Sequence, residues 1–372
     1  MRIGQLLFLL LVLFTFKSYG NDGAFFASGN QLIPIQETDI SVKKEILKVK
    51  KLNNKYIEVT VYYEFFNPSA EKEIIVGFEA VSPEGDVDGT PKKGLHPYMR
   101  DFTVLMNDQQ LKYEVSHVAD SLYNQNGKIK SIDLKTFEGN KTGNYVDFFY
   151  VYHFRAKFKK GLNIIKHTYT FDVSNGIDYN YHFDYVLTAA NRWANHQIDD
   201  FTLIVEMEDF EIFNIAKTFF TNKNEWIIDG VGKVEDVKGI EGTPYDKNAL
   251  KFIMQKGSLK FQKKNFKPKG ELSIYSFNPY IDGTVNQGKD FNLPFSIYLQ
   301  EHINIDEPIS DFQRKVLVNL PYARRGYLFK DKELNTYYRN RDWYIPNPDY
   351  VPNLADLKAV EQKWIRKWKK NN

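Results

Sequence analysis

Apolar and polar residues alternate along most of the chain before residue 310. The clearest run covers residues 55–65, where Ile57, Val59 and Val61 fall on one side and polar residues on the other. A period of two with one apolar side is typical of an antiparallel strand with one buried face. The run ends at Asn67-Pro68, where proline fixes φ and lacks a backbone donor, so we expect a turn there.

Runs of this kind recur as far as residue 277 and predict a mainly β body over residues 21–309. Many short strands separated by turns indicate an antiparallel sandwich. Two polar stretches, 120–144 and 229–248, are predicted as surface loops, and the first could also divide the body into two subdomains. The other predicted strands cover residues 73–80, 101–107, 111–117, 146–158, 162–173, 184–189, 201–207, 250–254, 259–261 and 272–277.

The hydrophobic period becomes helical after the body, and we call residues 310–372 the C-terminal module. Ser310 and Gln313 fit a capping box, in which each side chain binds the backbone of the other residue. A second short helix is predicted over residues 331–340, and Asn353 is expected to cap the last helix. The predicted inner face of that last helix carries Leu354, Leu357, Val360, Glu361, Trp364 and Trp368.

The most specific residue order in the chain is Tyr322-Ala323-Arg324-Arg325-Gly326, followed later by Trp343-Tyr344-Ile345-Pro346. This order resembles the YARHG domain, a small module of exported bacterial proteins, over roughly residues 310–368. The resemblance implies an extracytoplasmic setting and a largely helical module, and it implies no molecular activity. The body segments 29–34, 76–80 and 189–193 also resemble the N-terminal region of exported proteins that carry this module.

Arg325 and Pro321 differ from the pattern that the resemblance leads us to expect. Arg325 stands where the family usually has histidine, so a titratable or metal-binding role at this position is not expected here. Pro321 is expected to kink or end the first helix, because it removes an i to i−4 hydrogen bond. Gly326 suits the left-handed residue that ends a helix. We therefore expect a structural motif, with Arg324 pairing with Asp342 or stacking on Trp343 or Tyr344.

The first twenty residues predict export. Arg2, an apolar core at 6–14 and Ser18-Tyr19-Gly20 form the plan of a secretory signal peptide. The apolar core is too short to span a bilayer, although an N-terminal membrane anchor is the alternative interpretation. The chain has no cysteine, which excludes a lipoprotein anchor, disulfides and thiolate catalysis. We expect a periplasmic or extracellular protein that begins near Asn21 and has no other transmembrane segment.

The charge of the chain is unevenly distributed. The net charge is +3, but residues 310–372 hold 14 Lys or Arg against 7 Asp or Glu, and residues 21–309 hold 34 against 40. A basic end on an acidic body points to an anionic partner. The alternative is that the module and the body attract each other. Nucleic acid is not an expected partner for an exported protein.

No stretch has the spacing of a known catalytic motif. There is no Gly-x-Ser-x-Gly or His-Glu-x-x-His, and residues 229–233 lack the spacing of a phosphate loop. Residues 84–89 are an acidic turn with too few carboxylates for a calcium loop. His153, His167 and His182 lie in separate predicted strands. We therefore expect neither an enzyme nor a cofactor or metal site.

The candidate binding residues fall into three groups. The motif aromatics and cations could form either a small core or a ligand-binding surface, since a module of this size has little else to bury. The basic end is the strongest candidate for an anionic partner. Trp193 lies near two carboxylates and could serve as a glycan platform or fill the end of the core. The residues are Arg324, Arg325, Tyr327, Trp343 and Tyr344; Arg366, Lys367, Lys369 and Lys370; and Trp193.

Three functions remain open on the sequence. The first is a non-enzymatic envelope protein that docks to wall polymer, an anionic surface or another envelope protein. The second is a glycan-binding or glycan-hydrolysing β-domain centred on Trp193, which requires an exposed ring. The third is a structural assembly protein whose sheet edges pair with a partner. The sequence does not indicate an oligomeric state.

Overall fold

The computed structural model describes residues 25–26, 31–34, 38–85, 87–118, 129–134, 148–176, 179–239, 241, 246–277 and 310–369. The predicted signal peptide and most of the predicted loop at 120–144 lie outside these residues.

The body is built from strands, as the alternation predicts. They are β1 (Phe25–Phe26), β2 (Gln31–Pro34), β3 (Ser41–Leu52), β4 (Tyr56–Asn67), β5 (Lys72–Val81), β6 (Glu84–Gly85), β7 (Met99–Met106), β8 (Gln109–Gln110), β9 (Glu114–Val118), β10 (Phe149–Phe158), β11 (Gly161–Asp172), β12 (Tyr179–Tyr185), β13 (Ile198–Glu206), β14 (Glu211–Ala216), β15 (Trp226–Val237), β16 (Ala249–Phe266) and β17 (Leu272–Phe277).

Most of these strands belong to two sheets. A large sheet has the order β12-β17-β14-β16-β13-β3-β4-β11-β7-β8, with β15 paired to β16, and a smaller sheet has the order β2-β5-β10-β9. Strands β1 and β6 form a separate pair. The neighbouring strands are antiparallel except for β13 and β3, which run parallel. The mainly β fold class is confirmed, with one parallel pair at the centre of the large sheet.

The core lies between the large and the small sheet. On β4, Ile57, Val59 and Val61 are fully buried, which confirms the predicted inner face of this strand. From the small sheet, the ring of Phe78 packs against Phe102 and Tyr169 of the large sheet, with centroids 5.2 and 4.9 Å apart. Interdigitated rings of this kind bury much apolar area, and they hold the two sheets together.

The prediction of a loop over residues 229–248 is wrong in its first half, where β15 continues to Val237. The pairing of β15 with β16 shifts register between Val231 and Gly232, because Gln255 of β16 is left without a partner and forms a bulge in that strand. Gly230 and Gly257 face each other at positive φ, and a Cβ on Gly230 would lie 2.3 Å from a backbone oxygen. These glycines allow the two backbones to approach closely beside the bulge. The glycine-rich segment around Gly230 nevertheless has the composition of a turn, and for that reason it was predicted as a loop.

Other boundaries also differ from the predictions. The two predicted strands at 250–254 and 259–261 belong to the single long strand β16. The end of the strand predicted at 184–189 is a 3-10 turn, Thr188–Arg192. Strands β3 and β14 were not predicted individually.

The C-terminal module contains three helices, α1 (Asp311–Ala323), α2 (Lys332–Arg339) and α3 (Ala359–Lys369). The capping box of Ser310 and Gln313 is present. Asp331 caps α2. Asn353 caps a separate 3-10 turn, Leu354–Asp356, and α3 begins only at Ala359. Consequently Leu354 and Val360 are exposed, contrary to their predicted place on the inner face. No helix in the described ranges is long and apolar enough to cross a bilayer.

Pro321 does not end α1, because the helix continues through it to Ala323. Pro321 cannot donate the backbone hydrogen bond that the carbonyl of Leu317 would normally accept. That carbonyl instead accepts the indole N–H of Trp364, 2.6 Å away on α3. A side chain from another helix thus replaces the missing bond, and α1 leads directly into the motif.

The module packs on the outer face of the large sheet, the face turned away from the sandwich core. Phe252 and Met254 of β16 point into the core, whereas Ile253 between them belongs to the hydrophobic cluster of the module. Gln255 donates from Nε2 to the carbonyl of Ile345 at 3.1 Å. Successive side chains of β16 therefore pack into two different cores, one on each side of the sheet.

Candidate functional site

The motif begins as the end of α1. The amide of Gly326 donates to the carbonyl of Ala323 at 2.8 Å, and that of Tyr327 donates to Tyr322 at 3.2 Å. These two bonds form a Schellman motif, which needs a left-handed residue at its centre. Gly326 supplies it with φ of +80°. The predicted helix stop at Gly326 is confirmed.

Gly326 also allows the second half of the motif to approach. Its carbonyl accepts the amide of Asn347 at 2.8 Å. A Cβ at position 326 would lie 2.3 Å from the carbonyl oxygen of Ile345. Glycine is therefore required here both for its φ and for the space it leaves.

The two arginines of the motif bind one buried carboxylate, Glu361 of α3. Arg325 contacts both carboxylate oxygens, at 2.8 and 2.9 Å, and Arg324 contacts one of them at 3.1 Å. The amide of Lys358 donates to the same carboxylate at 3.0 Å. Glu361 is fully buried and Arg324 is 5% exposed. Bidentate pairing fixes geometry as well as charge, so this cluster holds α1 against α3.

The cluster remains ionised at neutral pH. Burial alone would raise the pKa of Glu361, but its hydrogen bonds and charge interaction with Arg325 outweigh burial and lower that pKa. Burial lowers the pKa of the Arg324 guanidinium to about 10, which leaves it protonated. Two cations on one carboxylate leave an excess positive charge inside the module.

The body supplies the counterpart of that excess charge. The ring of Phe210 lies 4.0 Å from the guanidinium carbon of Arg324 and 5.1 Å from that of Arg325. The next residue, Glu211, attracts Arg324 electrostatically. Glu211 is itself bound by the fully buried Lys51 at 2.7 Å. The predicted partners of Arg324, which were Asp342, Trp343 and Tyr344, are thus replaced by Glu361 and Phe210.

The aromatic residues of the motif form a small core. Trp343 and Tyr344 are buried, and Tyr327 is partly buried. The hydroxyl of Tyr344 donates to the carbonyl of Tyr327 at 2.8 Å. Tyr338 of α2 stacks between Phe329 and Tyr344. This arrangement fits the interpretation of these rings as packing rather than as a ligand-binding surface.

The basic end of the module faces solvent. On α3, Trp364 and Trp368 point inward, and four cations lie on the exposed side: Lys363, Arg366, Lys367 and Lys369. Within the portion of the chain that the structure describes, no ion pair involves these four side chains. They lie in the last turns of the helix, where positive charge offsets the helix dipole. Lys370 lies outside the described residues.

Comparison with known proteins identifies the module. Residues 309–372 match the YARHG domain family. The match begins one residue before the predicted start of the module and extends to the last residue of the chain. The YARHG domain therefore follows a β-rich body, and no sequence among curated proteins matches the chain.

Solved structures give weaker likenesses, among them the following two. A candidate nutrient-binding protein from Legionella pneumophila is 17% identical, with 94% of this chain and 100% of that one covered, at a TM-score of 0.46. An M1 zinc metallopeptidase from Deinococcus radiodurans is 8% identical, at a TM-score of 0.25. That alignment covers 64% of this chain and 43% of the peptidase.

Trp193 lies inside the body rather than on its surface. The ring is 2% exposed and packs on Phe65, with centroids 4.4 Å apart. Of the nearby carboxylates, Asp199 is bound by Lys43 at 2.8 Å and Asp200 by Lys264 at 2.9 Å. The glycan-platform hypothesis required an exposed ring, so the structure removes its basis.

The other candidate chemistry is dispersed. His153, His167 and His182 lie on β10, β11 and β12 as separate side chains. Within the described ranges, no group of three or more His, Asp or Glu is placed to hold a metal ion. The acidic turn at 84–89 lies partly outside those ranges.

Sequence reasoning missed the centre of the YARHG domain, which is Glu361. The signal was present, because Glu361 is the one charged residue on the predicted inner face of the last helix. A carboxylate at such a position needs a buried cation, and two lie in the motif. Phe210 and Glu211 carry no comparable signal, since their role depends on how the domain meets the body.

Proposed function

We propose that this protein is a non-enzymatic, exported binding protein of the cell envelope, and that its YARHG domain docks to an anionic envelope polymer. The proposal is carried by one observation, the exposed basic side of α3. The inward cations Arg324 and Arg325 are matched by Glu361 and by the body, whereas the outward cations are not matched by any described carboxylate. The exposed cations of α3 are therefore available to bind an anionic partner outside the module.

The family match and the predicted signal peptide support the setting of this proposal. YARHG domains occur in exported proteins, and a wall polymer with regularly spaced anionic groups would meet several of these cations at once. A single exposed ion pair contributes only about 0.2–1 kcal/mol, so binding of this kind depends on several contacts and weakens with salt.

The test is co-sedimentation of the full chain with isolated cell envelopes across a salt series. Substituting R366Q and K367Q together should weaken binding about ten-fold, as expected for two exposed charge contacts. The matched control is K112Q with K256Q, which removes the same charge from exposed lysines of the body. Equal sedimentation of both variants would contradict docking through α3.

A second candidate, assembly through a sheet edge, is favoured by strand β15. Among the strands that the structure describes, β15 is the longest that pairs with one neighbour only. Its exposed Ile227 lies on an open edge that could accept another strand. Assembly predicts a solution mass that rises with protein concentration and no longer rises in I227K.

A further inference from the structure

A grid of side chains covers the outer face of the large sheet where β3, β13 and β16 run side by side. In the first row, Asp200 of β13 lies between Lys44 and Lys264. In the next row, Thr202 lies between Ile46 and Gln262. The third row places Ile204 between Lys48 and Lys260. Because residues two apart share a face, all nine side chains belong to one surface.

This surface contains a groove with a volume of about 460 Å³. Four lysines and one aspartate line it, namely Lys44, Lys260, Lys263, Lys264 and Asp200. The volume falls within the range of pockets that bind small molecules. The groove is therefore open to solvent and carries an excess of positive charge.

Two of the four lysines are already paired within the protein. Lys264 binds Asp200 at 2.9 Å, and Lys263 binds Glu225 at 3.0 Å. For Lys44 and Lys260, the described residues provide no ion pair. These two lysines stand at opposite corners of the grid, so their backbones are roughly 16 Å apart by strand spacing. An extended ligand with several anionic groups can therefore meet each lysine without either side chain having to bend across the groove.

The residues at the floor of the groove further restrict the class of ligand that the groove can bind. Gln262 donates from Nε2 to the hydroxyl of Thr202 at 3.4 Å, which leaves the Thr202 hydroxyl proton and the Gln262 amide oxygen for the hydroxyl groups of a ligand. Ile46 and Ile204 offer apolar contact beside them. The combination suits sugar rings, which carry hydroxyls on their edges and C–H groups on their faces. No aromatic ring lines the groove, so it lacks the stacking surface that single-stranded nucleic acids use. A bilayer surface is flat and would not enter a groove.

We propose that this groove binds an acidic oligosaccharide, with Lys44 and Lys260 contacting anionic groups on separate sugars and with Thr202 and Gln262 contacting hydroxyls. The site lies on the same outer face of the sheet that the YARHG domain covers near Ile253. It is distinct from the basic side of α3 and uses other residues.

The proposal is tested by calorimetric titration of the full chain with tetragalacturonate, at low and raised salt. The expected result is salt-sensitive binding that K44Q with K260Q weakens about ten-fold, the size expected for two exposed charge contacts. K112Q with K256Q removes equal charge elsewhere and should leave the affinity unchanged. Neutral maltotetraose should not bind.

The same titration separates the groove from the basic helix. R366Q with K367Q should retain tetragalacturonate binding, whatever its effect on envelope sedimentation. Loss of binding in that variant, or unchanged binding in K44Q with K260Q, would overturn the proposal. Vesicles containing phosphatidylglycerol should not compete with tetragalacturonate. Competition that depends on Lys44 and Lys260 would overturn it in favour of a lipid surface.

Discussion

At the scale of single residues, each position of the motif has a separate physical task. Ala323 is fully buried, Arg324 and Arg325 bind Glu361, and Gly326 reverses the chain at the end of α1. The arginine at position 325 binds both carboxylate oxygens, which a histidine could not do. In this protein the motif is therefore a structural device that joins helices and chain segments.

Substituting Gly326 by alanine should destabilise the protein by at least about 2 kcal/mol, since the new Cβ adds a steric clash to an unfavourable φ. The matched control is G94A, because Gly94 has nearly the same φ of +78° but no atom within 4 Å of a Cβ. G94A should cost only the conformational contribution, about 1 kcal/mol. Urea denaturation followed by tryptophan fluorescence compares the two, and equal costs would show that the approach of Ile345 does not matter.

Glu45 should make stability fall as the pH rises. It is buried in the core near the hydroxyl of Tyr185, and burial raises its pKa to about 8. Between the unperturbed pKa near 4.5 and pH 8, the folded state keeps a proton that the unfolded state has lost. The contribution of Glu45 to the free energy of unfolding should therefore decline by about 1.4 kcal/mol for each pH unit in this window.

E45Q should remove that decline, because the amide is neutral at every pH. The difference in unfolding free energy between E45Q and the wild type should grow in favour of E45Q from pH 5 to about 8. Burial lowers the pKa values of His96 and His167, but these groups contribute to both curves and cancel in the difference. Parallel curves would mean that Glu45 is ionised in the folded protein.

At the scale of elements, the hydrophobic period predicted whether a segment is a strand or a helix better than it predicted where the segment begins and ends. The alternation of β4 and the capping box of α1 are local signals, and both are confirmed. The error at β15 arose because a strand that passes a bulge in its partner and a turn use the same residues, glycine and charged side chains. Their difference depends on whether a partner strand is present, and that partner is Gly257 and its neighbours, far along the chain.

In the candidate site, too, local features could be predicted from the sequence, whereas features that depend on distant residues could not. Gly326 and the basic side of α3 could be predicted, because a helix stop and a run of cations are local features. For Trp193 the sequence left burial and a glycan platform both open, since the contacts with Phe65 and Phe158 that bury it come from distant strands. Pro321 was misjudged for a related reason, because the donor that replaces its missing amide lies on α3.

Helix α1 should depend on Trp364 only as long as Pro321 is present. W364F removes the indole N–H from the carbonyl of Leu317 and should cost about 1–3 kcal/mol. P321A restores a backbone donor to that carbonyl, so W364F should cost less in the P321A background. A double-mutant cycle by chemical denaturation measures the difference. Equal costs in both backgrounds would show that Trp364 contributes through packing alone.

At the scale of the whole molecule, a set of buried and partly buried charges lies where the domain meets the body. The body contributes Lys51, Glu208 and Glu211, with Lys51 bound to both carboxylates at 2.8 and 2.7 Å. The YARHG domain contributes Arg324, Arg325 and Glu361. The charges from the body sum to a single negative excess, and those from the domain sum to a single positive excess. Attraction between domain and body therefore acts at this junction and does not involve the basic side of α3.

This junction should couple the stability of the domain to that of the body. R324Q leaves Glu211 without the attraction of Arg324 and removes one ligand of Glu361, so it should destabilise the protein by about 3–5 kcal/mol. Burial raises the pKa of Glu211, which shows that its charge is costly to keep inside the protein. E211Q should therefore recover some of the loss when it is combined with R324Q, with a coupling of about 1–3 kcal/mol.

The control for this coupling is E225Q, because Glu225 binds Lys263 at a separate site. R324Q and E225Q should be additive in urea denaturation, whereas R324Q and E211Q should not. If both pairs were additive, the domain would be held to the body through residues such as Ile212, Ile253, Gln255 and Phe210 rather than through this charge interaction. The charge complementarity between domain and body would then have no role in docking them, and the whole positive excess of the domain would remain to be explained by an external partner.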